Sequence, residues 1–412
     1  MGLAVQAPRA RRDVIMKQLL LTILLLCTAS AFGQKPDSVL SAPTVSLLTC
    51  APGCDIYELE GHTGLRLKFP GSDMVANWGL FDFDSPNFVY RFVKGETDYM
   101  AGICPTDLFL AQYIHEHRRV TEQVLNLTPQ QAIRVMELVM ENCTPQNRVY
   151  RYNYVRNNCA TRPMALIESV LGSEINFGTP AAAAEGDTWR AVMRRYHRNY
   201  PWYQFGIDLA LGSGIDFPIT NREQMFAPQS LMEMAASATI TDSCGRAMPL
   251  VTQTNILTPG SAEGTVLSPT PWYATPIFWS VVLMALVMWI SWRNIRSGHL
   301  SRWLDAIFYT LLGVTGLVIA FLVLVSEHEA TSPNYLILWI NPLCMLVPAL
   351  LWNKKGRNAL YIYQWLNLCA IVSFAATWVF GIQSGNAAFG PLLLADATRA
   401  VTYIIINIGT KA

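Results

Sequence analysis

The sequence predicts an α+β domain exported from the cytoplasm, followed by an α-helical transmembrane bundle of about five spans. Three observations predict this. Charge is uneven: Asp, Glu, Lys and Arg make up 14% of the 412 residues, but only 12 of them lie in 271–412 against 47 in 1–270. The apolar runs of the last third are each near the ~20 residues that cross a bilayer core. The N-terminus carries an apolar stretch of the export type. A formal net charge of +1 leaves no basic excess for nucleic acid, and 52% hydrophobic residues exclude a disordered chain.

At the N-terminus, Met16-Lys17 precedes the apolar run Leu19 to Leu26, and the small residues Ala29, Ser30, Ala31 and Gly33 follow. A basic start, a short apolar core and small residues at a cleavage site describe a signal peptide over 1–33. Met16 is an alternative start, because Arg9, Arg11 and Arg12 fit poorly ahead of such a signal. Cys27 is preceded by Leu26 rather than by a small residue, which argues against a lipidation box.

The exported domain, 34–250, reads as mixed. Asp55–Phe69 and Met74–Phe83 have strand character, the first broken at Gly61-His62. Thr128-Pro129 with Gln131 opens a helix running to Met140. A second helix follows Cys159, with apolar Met164, Leu166, Ile167 and Val170, and further helices span 187–198 and 229–237. Residues 251–270 read as a linker. The basic stretch Arg190, Arg194, Arg195, His197, Arg198 reads as a solvated face, with phosphate headgroups as an alternative ligand.

The predicted spans are 273–292, 306–326, 335–352, 359–382 and 388–408. Arg293, Arg296 and Arg302 fill the first loop, and Lys354, Lys355 and Arg357 the third. Glu327, His328 and Glu329 fill the second, and the fourth, around Gln383 to Asn386, is uncharged. Alternating basic loops place 34–250 outside the cytoplasm and the C-terminus, ending with Lys411, inside. Asp396 and Arg399 stand three apart in the last span, a spacing that allows an ion pair.

Chemistry in the exported domain concentrates on two residues. Cys159 stands at a helix start, where unpaired amides lower a thiol pKa. His62 lies between glycines that admit close backbone approach. A thiol nucleophile needs a base and a third polar group to orient it; Asn77 is the choice for that group and Asp82 the alternative. A disulfide is the other reading of Cys159, since Cys50, Cys54, Cys104, Cys143 and Cys244 share the domain. A strand histidine bonded to a carbonyl is the other reading of His62. No metal-ligand spacing and no cofactor fingerprint is present, so no metal or cofactor is expected.

The strings Leu47 to Gly53, Tyr57 to Arg66 (YELEGHTGLR), Asn77 to Phe83 and Tyr150 to Pro163 (with NNCATRP) resemble the Bacteroides-type lipoprotein N-acyltransferase family (Lnb-like). Trp202 to Gly212, Asp216, Phe226 to Pro228, Ser326 to His328 and Asn334 to Pro342 extend the resemblance over nearly the whole chain. It implies a periplasmic domain similar to permuted papain-like (NlpC/P60-type) enzymes, in which the His strand precedes the Cys helix. It further implies a Cys159 nucleophile and a His62 base. The implied reaction moves an acyl chain from a membrane phospholipid, through a Cys159 thioester, to the N-terminal amine of diacylated lipoproteins at the bacterial inner membrane. Tyr57, Asn158 and Arg162, together with Glu327, His328, Asn334 and nearby Asn341, are the candidate substrate contacts. A membrane-anchored cysteine peptidase or amidase acting on cell-wall peptides would use the same pair, and a non-catalytic receptor would need neither.

Overall fold

The structure, a computed structural model, describes residues 42–81, 84–177, 187–242 and 244–409. The predicted signal peptide, Asp82 and Lys411 lie outside them. The exported part is built on a seven-stranded antiparallel sheet of order β10-β5-β1-β2-β3-β4-β6. Its strands are β1 Thr44–Cys50, β2 His62–Phe69, β3 Ser72–Leu80, β4 Asp98–Pro105, β5 Val120–Leu125, β6 Val149–Arg151 and β10 Val251–Ile256. Three short strands, β7 Ile175–Asn176, β8 Thr239–Thr241 and β9 Ala247–Pro249, form a second sheet. The β2–β3 hairpin turns on Pro70-Gly71 with Phe69 paired to Ser72. Gly71 has φ 84°, and Pro then Gly at the two central positions is the type II pattern.

Helices cover both sheet faces. The chain forms α1 Phe88–Lys94, α2 Thr106–His115, α3 Pro129–Asn142, α4 Thr161–Leu171, α5 Trp189–Tyr196, α6 Pro201–Ala210, α7 Asn221–Gln224 and α8 Pro228–Ser237. Strand alternation sends Leu47, Leu65, Leu67, Ala76 and Trp78 to one face. There they bury against Val135 and Val139 of α3, Met164 and Ile167 of α4, and Leu231 and Met234 of α8. Each such fully buried aliphatic chain stabilises the fold by about 1.5–3 kcal/mol. The other face places Leu48, Cys50, Val75 and Val120 under Phe109 and Tyr113 of α2. Helix α3 starts as read: Thr128 and Gln131 form a reciprocal capping box, with Pro129 in the first turn.

Three readings change. Strand β2 begins only at His62, because Asp55 to Glu60 turn instead of extending. The start of the expected linker is strand β10, which covers the open edge of β5; its few charges suit a covered edge as well as a tether. The third change concerns the spans. Among the described residues, four helices are long and apolar enough to cross a membrane: α9 Pro276–Ser297, α10 Arg302–Leu324, α12 Arg357–Val379 and α13 Phe389–Gly409. The expected span at 335–352 is broken into the short turns Tyr335–Leu338 and Pro342–Met345 and the one-turn helix α11 Leu346–Leu350. Pro342 has no amide hydrogen and disfavours helix at Asn341. Asn334 and Asn341 instead cap the short turns through the Leu336 and Leu343 amides.

Irregular backbone at membrane depth requires protein around it. Leu336, Trp339, Cys344 and Val347 are buried, and α10 makes room with two glycines. A Cβ at Gly316 would stand 2.4 Å from the Asn341 carbonyl carbon. The broken segment runs back along α10, because Trp352 meets Trp303, at the other end of α10, with ring centroids 5.2 Å apart.

The Asp396–Arg399 pair allowed by spacing does not form. Arg399 makes a two-pronged bond to Asp305 of α10 at 2.6 and 2.8 Å and donates to Ser291 and Asn294. Asp396 accepts from the Tyr309 hydroxyl, the Trp339 indole and the Asn367 amide at 2.7–2.9 Å. One helix residue thus ties α13 to α9 and α10, and another ties it to α12 and the broken segment.

The exported domain is bolted to the bundle. Asp208 of α6 is fully buried and accepts from Arg190 and Arg194 of α5 and from Asn386 before α13. Arg190 also pairs with Asp216, and Arg194 reaches Ser384 and the Gly385 carbonyl. Arg190 and Arg194 are therefore a joint rather than a solvated face, whereas Arg195 and Arg198 of the same stretch are exposed. A second joint lies beside α1, where the Glu327 amide donates to the Lys94 carbonyl and the Ser326 hydroxyl to the Val93 carbonyl.

Removing one partner of a buried pair costs about 3–5 kcal/mol, and replacing both by apolar groups costs far less. Asp305→Ala is expected to lower the thermal unfolding temperature in detergent sharply, and Asp305→Leu with Arg399→Leu to recover most of it. Equal melting of the single variant and the parent protein would contradict this account of the pair.

Candidate active site

Cys159 is held by its neighbour. The Asn158 side-chain oxygen accepts from the Ala160 and Thr161 amides at 2.9 Å each, closing the start of α4. Its NH2 group donates to the Tyr154 and Phe226 carbonyls at 2.8 Å each. All its polar capacity is spent on backbone, so this candidate substrate contact has a positioning role. Arg162 likewise faces inward: it stacks 3.5 Å over the Tyr150 ring and donates to the Asn157 side chain at 2.7 Å.

His62 opens β2 opposite Cys50. The preceding Gly61 has φ 80°, and a Cβ there would stand 2.3 Å from the Cys50 carbonyl oxygen, so only glycine fits. Asn77 pairs with Gly64 in the neighbouring strand, on the same face as His62. The structure brings these two together, with His62 Nε2 3.1 Å from Asn77 Oδ1. With a carboxamide oxygen as its partner, Nε2 carries the hydrogen and Nδ1 keeps the free lone pair. Asn77 also donates toward the Cys104 sulfur at 3.7 Å.

The thiol meets the same strand from the helix side. The amides of Thr63, Cys159 and Ala160 bear on the Cys159 sulfur and pull its pKa down. Gly79, at a bulge in β3 with φ 92°, leaves space beside it: a Cβ there would lie 3.8 Å from the Cys159 Cβ and 3.5 Å from the Tyr152 ring. Among the described residues no hydrogen bond joins His62 directly to Cys159. The exported cysteines Cys50, Cys54, Cys104, Cys143, Cys159 and Cys244 are all free, so the disulfide reading of Cys159 does not hold.

Burial governs the electrostatics. It pushes the Cys159 thiol up to about 11, against the pull of the three amides and with help from nearby Glu60. It also lowers the His62 imidazole, which the bond to Asn77 opposes and Arg118 reinforces. At neutral pH the resting pair is thus thiol and neutral imidazole, not thiolate and imidazolium. Such a pair acts by general base catalysis, with proton transfer coupled to attack.

Glu60 was not singled out in the sequence. Its carboxyl is enclosed and raised to about 7 by burial, with the Tyr154 hydroxyl donating to it. His197 Nε2 lies 3.8 Å away and is a buried nitrogen with no hydrogen-bond partner. The only available signal was an acidic residue two before His62 in a segment about to enter the core.

The remaining candidates lie elsewhere. Tyr57 is exposed, donates to Asp55 at 2.8 Å and packs edge-on against Phe81. Glu327 and His328 belong to the joint beside α1, where the His328 ring bonds the Phe92 carbonyl at 2.8 Å. Asn334 is buried and donates to the Leu209 carbonyl of α6 at 2.9 Å. These three side chains or backbones connect the domain to the bundle.

Two family models match the chain. One describes the Lnb N-terminal periplasmic domain and matches residues 35–195; the other describes the Lnb transmembrane domain and matches residues 268–411. His62, Asn77 and Cys159 all fall in the first. No curated protein and no solved structure matches the chain.

A neutral resting thiol has a signature. Alkylation of Cys159 by iodoacetamide, followed on its own peptide by mass spectrometry, is expected to accelerate steadily from about pH 7 to about pH 10. Glu60→Gln should speed it in the upper part of that range, since the Glu60 charge raises the thiol. A rate already level in acid would mean a resting ion pair and overturn this account. Glu60 also links pH to stability. Its folded value is raised, so its contribution is complete below 4.5 and is lost as pH rises through about 7. Glu60→Gln should flatten the melting temperature over that window.

Proposed function

The chain belongs to the Lnb family, and on that premise we propose that it is a lipoprotein N-acyltransferase of the bacterial inner membrane. The observation that carries the reading is the His62–Asn77 pair, set on the strand whose Thr63 amide bears on the Cys159 sulfur. A thiol, an imidazole with its outer nitrogen fixed, and a carboxamide orienter form the constellation of an acyl-transferring thiol site. The order of His strand before Cys helix agrees with a permuted papain-like arrangement.

The reaction has two halves. In the first, His62 Nδ1 takes the Cys159 proton as the sulfur attacks an ester carbonyl of a membrane phospholipid. The C–O bond breaks, the proton passes to the leaving oxygen, and a lysophospholipid departs from a Cys159 thioester. In the second, the N-terminal amine of a diacylated lipoprotein attacks the thioester. His62 takes the amine proton, the C–S bond breaks, and the proton returns to sulfur. The product is an amide, and the enzyme is regenerated without metal or cofactor. Joining the domain to the bundle through Asp208 suits this chemistry, because both substrates are anchored in the bilayer.

Mass spectrometry of lipoprotein N-termini tests the proposal. Deleting the gene should remove the third acyl chain, and complementation with Cys159→Ser should not restore it. His62→Ala should slow thioester formation by about 10²–10⁴-fold, the usual worth of a general base. Unchanged acylation in the deletion strain, with no second enzyme supplying it, would sink the proposal; release of cell-wall peptides by the parent protein would favour the hydrolase.

A further inference from the structure

Helix α1 is an anomaly for a water-facing surface. It buries none of its residues, and Val89, Tyr90 and Phe92 are 73%, 55% and 46% exposed. An exposed apolar cluster of this kind marks an interaction surface. What covers it follows from where it stands. Tyr90 lies against Phe321 in the last turn of α10, with ring centroids 6.2 Å apart. After α10, the Ser326 hydroxyl and the Glu327 amide are bonded to the end of α1 at Val93 and Lys94. The neighbouring surface of α10, including Leu317, Val318 and Leu324, is itself exposed and apolar, as a lipid-facing helix must be. The α1 surface is therefore continuous with the bundle's lipid-facing surface at its outer rim.

A row of aromatic rings leads inward from α1. Phe92 stacks on Phe88 at 5.9 Å between centroids, and Phe88 stacks on Phe81 at 5.9 Å. Phe81 meets Tyr99 at 5.1 Å, and Tyr99 stacks on Tyr152 at 4.3 Å. Tyr152 and Cys159 flank the space left by Gly79. The row joins the lipid rim to the thiol ring by ring.

We propose that α1 is a lipid-immersed lip of the site, and that the phospholipid acyl chain reaches Cys159 along this aromatic row. The outer half rests on the surface of α1 alone; the inner half rests on the acyl-transfer reading above. An acyl chain drawn from a bilayer to a buried thiol loses its apolar surroundings unless the path supplies them. A bare polar route would leave the apolar surface of a long chain in contact with water or polar groups, which opposes the transfer.

The test uses the full chain reconstituted in phosphatidylethanolamine–phosphatidylglycerol vesicles. A benzophenone amino acid replaces Val89 or Tyr90, or Met140 on α3, which is similarly exposed. Irradiation should join phospholipid acyl carbons to positions 89 and 90 and not to 140. Labelling at 89 and 90 no greater than at 140 would overturn the lip. For the row, Phe88→Glu should cut formation of the Cys159 thioester from vesicle lipid by about tenfold or more, whereas Phe88→Leu, which keeps the apolar surface, should retain the rate. Equal loss in both would assign Phe88 to packing and overturn the track. If the parent protein forms no thioester, acyl transfer fails as a reading, while the cross-links still decide whether α1 meets lipid.

Discussion

A carboxylate cut off from water needs donors and positive charge around it, and Asp208 is cut off completely. Its partners come from both halves of the molecule: Arg190 and Arg194 from the exported domain, and Asn386 from the loop entering the last span. Neither half satisfies the group alone. The exported domain is consequently fixed in angle as well as tethered, and the direction in which the Cys159 site faces follows from it. The joint beside α1 adds a second point of attachment, and the Asn334 bond to the Leu209 carbonyl adds a third.

The fixed angle gives meaning to the chemistry around the thiol. A neutral Cys159 and a neutral His62 suit a site that meets its substrate inside an apolar enclosure, where a standing ion pair would cost several kcal/mol to desolvate. On the acyl-transfer reading proposed above, charge develops only as an ester carbonyl arrives. The amides of Thr63, Cys159 and Ala160 are fixed dipoles that bear on the sulfur. Burial works in the opposite direction on the resting sulfur, Glu60 adds to it, and the thiol stays protonated.

Features carried by neighbouring residues were readable in the sequence. The Thr128–Gln131 capping box, the helix after Cys159, the alternation of basic loops and the placing of Asn77 near His62 all follow from short-range spacing or strand period. What the sequence hid depends on distant partners. Arg190 and Arg194 stand one turn apart like any solvated basic pair, and only Asp208 inside an apolar helix hinted that they are enclosed. The broken segment at 335–352 is as hydrophobic as a helix, because hydropathy measures transfer to lipid and not backbone pairing. Its glycine partners lie on another helix. Strand β10 is polar because it is an edge, and polarity without period reads as linker.

Asn158 reaches across the domain as well as along it. One of its hydrogens is bonded to the Phe226 carbonyl, and the sheet edge beside β5 is closed by residues 251–256. Both lie beyond residue 195, where the match to the periplasmic family model stops. The structural unit that seats the nucleophile is therefore longer than the stretch shared with the family model. A fragment ending at 195 would leave the β5 edge open for pairing with other chains and would take from Asn158 its bond to the Phe226 carbonyl. His62, Asn77 and Cys159 all stand before residue 195, but the seat of Cys159 is completed by the return of the chain on its way to the membrane.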